Sequence, residues 1–172
     1  MTNRYNQLGV GLMEVLVALV ILAIGVLGYT ALQLKAVDFT SEALTKSQAT
    51  LILRGLTESI RANPDGQANY PAAIKSYFAV KKPSASPSCF NKTCTPADLA
   101  KYDAYMAAQA ASTMNMAITM TDCPGVKSVK RQCLFAAWDE TFSKLKADDY
   151  SVCMNNKGIY VNSAKCLMME AY

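Results

Sequence analysis

One long apolar run near the N-terminus constrains this chain more than any other feature. Between residues 10 and 34 the only charged side chain is Glu14. The uncharged stretch after it, residues 15–34, has about the 20 residues that a helix needs to cross a bilayer. A secretory signal has a shorter apolar core followed by small residues at a cleavage site, and no Ala-x-Ala site follows here. The run is therefore predicted to stay in the protein as a membrane anchor.

The residues on either side of the run indicate its orientation and its compartment. Arg4 and the initial amino group favour the N-terminal side as cytoplasmic. All six cysteines lie on the other side of the run, and the chain has no histidine. An even number of cysteines behind an export element is typical of disulfides in an oxidising compartment. The lack of histidine excludes serine–histidine triads and histidine-ligated zinc.

Six cysteines allow many pairings, and neighbours along the chain are the pairs we expect: Cys89–Cys94, Cys123–Cys133 and Cys153–Cys166. Each such bond would close a short loop and stabilise the fold by about 2–3 kcal/mol in the chain-entropy model. No Cys-x-x-Cys pair occurs, and the spacings do not match common zinc sites. The cysteines are thus interpreted as structural, and neither a metal nor another cofactor is expected.

The apolar run continues into an amphipathic helix. Residues 35–63 contain no proline, and apolar side chains recur there at spacings of three and four: Ala49, Ile52, Leu53, Leu56 and Ile60. Pro64 ends the pattern, because the residue before a proline is disfavoured in a helix. One helix over residues 10–62 is predicted, about 80 Å long at 1.5 Å per residue. Its second half needs a partner for the apolar stripe, which the cysteine-bearing domain would supply.

The rest of the chain has the pattern of a small α+β domain. Prolines and serines predict a loop over residues 70–89. Thr95 as cap, Pro96 at the first helical position and Asp98 in the first turn predict a second helix. Its apolar positions are Leu99, Tyr102, Met106 and Ala110.

Strand-like patterns follow that second helix. The candidate strands are residues 114–121, 133–138, 150–153, 158–162 and 166–172. An α+β fold is therefore predicted, with the long helix packed on an antiparallel sheet of three to five strands.

Three stretches of sequence lead to a family. A short polar leader ends in Gly9, and Glu14 is the fifth residue after it. This arrangement resembles the class III signal of type IV pilins and pseudopilins. More narrowly, "GLMEVLVALVILAIGVLGYTALQ", "IRANP" and "CFNKTCTPADLAKYDAY" are similar to the minor pilins of the PilV family, the type IV pilus modification proteins. The resemblance covers about the first 105 residues and is loose beyond them, at "CLFAAWDET".

The resemblance implies a defined maturation. A prepilin peptidase would cut between Gly9 and Val10 and methylate the new amino group of Val10, although the family's usual first residue is phenylalanine or methionine. Glu14 would then pair with the amine of a neighbouring subunit during assembly. A carboxylate inside a membrane costs at least about 2.5–3.5 kcal/mol, so such a pairing would explain why Glu14 is there.

The same resemblance implies a type IV pilin-like fold in four parts. Residues 1–9 are the leader, 10–34 the transmembrane half of the helix, 35–62 its periplasmic half, and 63–172 a disulfide-stapled head. The protein would be a non-enzymatic minor pilin in the complex that primes or caps a type IV pilus, and so act in twitching motility, adhesion or DNA uptake. Its partners would be the peptidase, other minor pilins and the major pilin. It would lie in the bacterial inner membrane before assembly and then in the pilus at the cell surface.

Three alternatives stay open. A minor pseudopilin of a type II secretion system uses the same leader and helix, but pseudopilins often carry calcium sites of several acids, and here the C-terminal acids are scattered, with Asp148 and Asp149 adjacent. A membrane-anchored periplasmic domain that is an enzyme would need a nucleophile with a base or paired carboxylates. DNA is a further partner to weigh, because Lys127, Lys130 and Arg131 form a basic loop between two cysteines. Such a loop without interleaved aromatics is more typical of a solvated surface.

Overall fold

A computed structural model of the chain describes residues 11–78, 80, 89, 93–125 and 129–172. The chain divides into two compact units, Met1–Ala43 and Leu44–Tyr172. The helix α1, Leu12–Ala62, contributes to both units. Its predicted end at Ala62 is confirmed, whereas its predicted start at Val10 lies outside the described residues.

The second unit contains every other element. A 3-10 helix, Pro64–Asn69, is followed in order by α2 (Tyr70–Ser76), α3 (Pro96–Thr113), β1 (Ala117–Asp122), β2 (Gln132–Ala137), α4 (Asp139–Lys144) and β3 (Cys166–Glu170). The three strands form one antiparallel sheet in the order β1-β2-β3. The predicted fold, a long helix with a small antiparallel sheet and a second helix, is confirmed.

One face of the sheet packs against the second half of α1. Ala49, Leu53, Leu56 and Ile60 are buried and Ile52 is partly buried, as the spacing predicted. They share a core with side chains from α2, α3 and the sheet, among them Ile74, Met116, Ile118, Met120 and Leu134. Complete burial of a leucine or isoleucine side chain contributes about 1.5–3 kcal/mol, so this stripe is a large part of the head's stability.

The other face of the sheet carries a second core. Cys133, Phe135 and Ala137 of β2 point into it, together with Leu145 and Met154 from the segments beyond. The ring of Phe135 stacks on that of Tyr150 with 4.9 Å between the centroids. Because β2 is the central strand and both its faces are covered, its residues from Cys133 to Ala137 are all buried.

The predicted loop over residues 70–89 is wrong at its start, where α2 forms. Pro71 stands in the first turn of that helix, where a missing N–H costs no hydrogen bond, so the proline starts a helix rather than breaking one. The helix α4 was also not predicted.

Two candidate strands, residues 150–153 and 158–162, are wrong. This segment is a series of turns with one isolated bridge between Met154 and Tyr160. Its polar groups are satisfied locally: the side chain of Asn155 accepts the N–H groups of Lys157 and Ile159 at 2.9 and 3.0 Å. Those bonds replace the ladder that a strand would need.

The cap of α3 is as predicted, but its buried face is not. The N–H of Asp98 donates to Oγ1 of Thr95 at 3.2 Å. The buried positions are Ala100, Ala104 and Ala111, whereas Met106 is 46% exposed. Small side chains let α3 lie close to α2 and β1, and this close approach outweighs the larger apolar area of the predicted face.

A polar node of Asn63, Tyr70 and Asp103 joins the end of α1 to α2 and α3. The buried hydroxyl of Tyr70 donates to Oδ2 of Asp103 at 2.6 Å. The Nδ2 of Asn63 donates to the carbonyl of Pro96 at 2.9 Å and lies 3.3 Å from the Tyr70 hydroxyl. The motifs "IRANP" and "CTPADLAKYD" therefore meet in the structure, and the contacts of Asn63 and Asp103 are structural ones.

Burial sets the electrostatics of this polar node. It raises the pKa of the Tyr70 phenol, and the bond to Asp103 raises it further. Burial also raises the pKa of Asp103 above its ordinary 3.8, against the opposite effect of the Tyr70 bond. A neutral phenol and a partly desolvated carboxyl thus hold the helices together.

Gly66 completes the polar node by leaving room for it. A Cβ on Gly66 would clash with Nδ2 of Asn63 and lie 2.6 Å from the carbonyl oxygen of Pro96. Gly66→Ala is therefore expected to lower the free energy of unfolding by about 1–3 kcal/mol. Urea unfolding of the full chain in detergent, followed by the fluorescence of its single tryptophan, the buried Trp138, measures this.

The matched control for Gly66→Ala is Gly55→Ala in α1, because a Cβ on Gly55 meets no atom within 4 Å. It should be neutral or stabilise by up to about 1 kcal/mol, since alanine is the better helix former. Equal effects of the two alanines would contradict the role given to Gly66.

The raised pKa of Asp103 predicts a pH dependence of stability. The folded state holds this proton more tightly than the unfolded chain, so the contribution is complete below the unfolded value of about 3.8 and is lost as pH rises through the folded pKa. Asp103→Asn keeps an oxygen that accepts the Tyr70 O–H and cannot titrate. As pH rises through that range, the free energy of unfolding of the wild type should fall relative to that of Asp103→Asn. A difference that is flat with pH would refute the assignment.

Candidate assembly site on the N-terminal helix

Glu14 lies in the first turn of α1, where the helix begins. The carbonyl of Gly11 accepts the N–H of Glu14 at 2.9 Å and that of Val15 at 3.4 Å. An acid in the first turn interacts favourably with the positive end of the helix dipole. The predicted cleavage and methylation residues, Gly9 and Val10, lie outside the described residues. The structure therefore describes Glu14 alone of the three predicted leader-site residues.

The first half of α1 is exposed on every side. Each residue from 11 to 41 is exposed, including the large apolar side chains Leu12 (80%), Leu32 (70%) and Phe39 (73%). Exposed apolar surface of this extent marks a membrane or protein interface. Among the described helices, α1 is the one long and apolar enough to cross a membrane, with a mean hydropathy of 2.6 over its best 18 residues.

Glu14 is the single charged side chain of this surface between residues 11 and 34. Along the helix the nearest cation is Lys35, which is about 30 Å away at 1.5 Å per residue. No described side chain of α1 can therefore neutralise Glu14 in an apolar environment. A cation for it has to come from the residues before the helix, which include Arg4 and the chain's amino group, or from another molecule.

Three disulfides are present in the head. They join Cys89 to Cys94, Cys123 to Cys133 and Cys153 to Cys166, with Cα separations of 5.6, 4.9 and 5.9 Å. The first bond lies directly before the Thr95 cap of α3, and the second ties the end of β1 to β2. The third closes the segment of turns that leads into β3. Each bond thus fixes the entry to a helix or a strand.

Part of the positive charge of the basic loop between Cys123 and Cys133 is neutralised by an ion pair. Nη1 of Arg131 lies 3.0 and 2.9 Å from the two carboxylate oxygens of Glu170. Lys130 is exposed, and Lys127 lies outside the described residues. One of the three cations is thus paired within the head, and DNA binding by this loop stays a prediction without a structural argument for it.

The acids of the head are the remaining candidate metal ligands. Within the described ranges, no three side chains among His, Cys, Asp and Glu are grouped as a metal site requires. Asp148 forms an ion pair with Lys75, and the Asp149 side chain accepts the N–H of Ser151 at 2.8 Å. Asp148 therefore connects its loop to α2, and Asp149 satisfies a backbone N–H of its own loop.

Sequence reasoning missed the role of Tyr70 and gave none to Asp103. The signal was available in the two motifs, because Asn63 and Asp103 are both part of them. The sequence does not show that the two motifs lie close together in space. The lack of a side chain at Gly66 allows this close approach.

Comparisons with known proteins match two adjoining stretches of the chain to family models. Residues 4–30 match the prokaryotic N-terminal methylation motif. Residues 31–105 match the Tt1218-like family, described as type IV pilin Tt1218. No curated protein and no solved structure is significantly similar to the chain. The two family matches adjoin one another, and over residues 4–105 the chain is similar to type IV pilins.

Proposed function

We propose that the chain is a minor pilin of the PilV kind, a structural subunit of the complex that primes or caps a type IV pilus. The observation that supports this most is the single carboxylate in the first turn of a helix whose apolar first half is exposed on all sides. That helix begins within the N-terminal methylation motif. An apolar half-helix with no cover of its own and a single charge to neutralise is suited to packing beside identical or related helices.

Maturation begins with removal of residues 1–9. The prepilin peptidase that acts on this class of leader cuts after Gly9 and methylates the amino group of Val10. Valine departs from the usual first residue, and because the cut depends mainly on the glycine, we expect lower efficiency rather than a different site. The cut creates a cationic amine four residues before Glu14, about 6 Å along a helix.

That amine gives Glu14 its partner in a neighbouring subunit. In an apolar surrounding either charge alone is costly, whereas the two together are tolerated. A pair of this kind adds little net stability but penalises every axial offset at which the charges miss each other. It therefore sets the register between neighbouring helices.

Assembly would take the protein from the membrane to the filament. Before assembly, residues 10–34 span the inner membrane, and residues 35–62 and the head 63–172 lie in the periplasm, where the disulfides form. The subunit then joins other minor pilins and the major pilin in a pilus at the cell surface. Its contribution would be to pilus assembly, and through it to twitching motility, adhesion or DNA uptake.

Gly9→Phe tests the leader. The bulky side chain should block the peptidase, so that the full-length protein accumulates as an uncut band in cells with active peptidase. Mass spectrometry of the wild-type protein should show Val10 as a methylated N-terminus. Normal processing of Gly9→Phe would rule out a cut at this position.

Glu14→Ala tests the ion pair. Cutting should be intact, whereas recovery in sheared pili relative to membranes should fall by about tenfold or more, because removing one member of a buried ion pair costs about 3–5 kcal/mol. Asp38→Ala is the matched control, an exposed acid on the same helix beyond the apolar run. Unchanged recovery of Glu14→Ala, or an equal loss with Asp38→Ala, would argue against the pairing.

A further inference from the structure

The second compact unit, Leu44–Tyr172, carries an apolar groove between α1 and α3. Its two edges are Leu51 of α1, which is 66% exposed, and Met106 of α3. Its floor consists of small or buried residues from the two helices: Gly55, Leu56, Ala107 and Ala110. Leu44, one heptad before Leu51 on the same face of α1, is 59% exposed and continues this edge within the head unit.

The groove has almost no charge of its own. Asp103 is the one ionisable residue that lines it, and its Oδ2 already accepts the Tyr70 hydroxyl at 2.6 Å. Ser59 lines the groove too, and its carbonyl lies 3.3 Å from the same hydroxyl. A polar ligand would therefore find few free partners here, whereas an apolar one would cover Leu51 and Met106.

Gly55 gives the groove its depth. A Cβ at this position would meet nothing within 4 Å, so the space above Gly55 is open and the fold does not need a glycine there for packing. Glycine in a helix interior costs stability relative to other residues, so its presence needs another reason. Small residues at a helix surface allow a second helix to approach closely.

We propose that this groove receives the apolar N-terminal helix of a neighbouring pilin subunit in the assembled filament. The chain itself displays the matching element, since the side chains of residues 15–34 are apolar or uncharged and exposed on every side. Once such a helix leaves the bilayer, its apolar surface has to be covered by protein. An uncharged groove with leucine and methionine edges provides that cover, in the helix-in-groove manner.

This inference rests on the proposed function, because it assigns a site for one contact of the assembled subunit. It differs from the ion pair in position. Glu14 and Gly55 are about 60 Å apart along α1 at 1.5 Å per residue, so a helix in the groove belongs to a different neighbour from the one that pairs with Glu14.

Photo-crosslinking tests the occupant directly. The full chain would be produced in cells that assemble pili, with p-benzoylphenylalanine in place of Leu51, and sheared pili would be irradiated. Mass spectrometry should find the adduct on a peptide from the N-terminal helix of a pilin, either this chain or another. The control places the same residue at Lys101, whose side chain is 57% exposed on α3 outside the groove. Adducts only with lipid, with head peptides or with no partner would overturn the proposal, as would equal adducts from position 101.

Gly55→Leu tests the groove without disturbing the head. Leucine forms helix better than glycine, and the open space accepts its Cβ, so the unfolding transition should be unchanged or slightly higher. Recovery in sheared pili should nevertheless fall by about tenfold, because the side chain occupies the place of the neighbouring helix. Gly55→Ala, which leaves most of the groove open, should be recovered nearly as well as wild type.

The outcomes separate this inference from the proposed function. If Glu14→Ala is lost from pili while Gly55→Leu is recovered like wild type, the groove is not an assembly contact and the minor pilin function stands. If both variants are recovered like wild type, both proposals fail.

Discussion

The structure depends on one helix that meets two opposite demands. Residues 12–41 of α1 find no cover among the residues that the structure describes, whereas Ala49, Leu53, Leu56 and Ile60 lie in the main core of the head. The first demand is met only by lipid or by other helices, because exposed apolar surface is driven out of water. The second is met by the sheet and by α2 and α3. The same secondary structure thus serves for anchoring, for assembly and for folding.

Where α1 ends decides how the rest of the head is arranged. Pro64 stops the helix, and the 3-10 turn at Gly66 brings the chain back so that Asn63 reaches both Pro96 and Tyr70. This places α3 beside α1 and leaves the groove between them. A polar contact at one end of the helix therefore determines the shape of an apolar surface along its side.

The sequence allowed some of these features to be predicted. The end of α1, its buried stripe and the Thr95 cap follow from local rules, since proline geometry, helical spacing and a capping hydroxyl act over a few residues. The α2 helix, the turns at residues 150–162 and the alanine face of α3 were not predicted. Each of these depends on tertiary contacts with segments that are distant in the sequence. For example, α3 buries Ala104 rather than Met106 because another helix lies close to it. For the candidate assembly site, the sequence singled out Glu14 by its position in the apolar run and after Gly9, whereas Tyr70, Gly66 and the groove required the fold.

The burial of the α1 stripe also has a practical meaning for the choice of a soluble fragment. A fragment that starts after Pro64 would keep all six cysteines and every strand, yet it would lack one wall of its own hydrophobic interior. The compact unit begins at Leu44, about 20 residues upstream of that point and beyond the membrane-spanning length of the helix. A truncation at Leu44 keeps the amphipathic turns of α1, which pack in the core of the head. It removes the apolar turns that are exposed on every side.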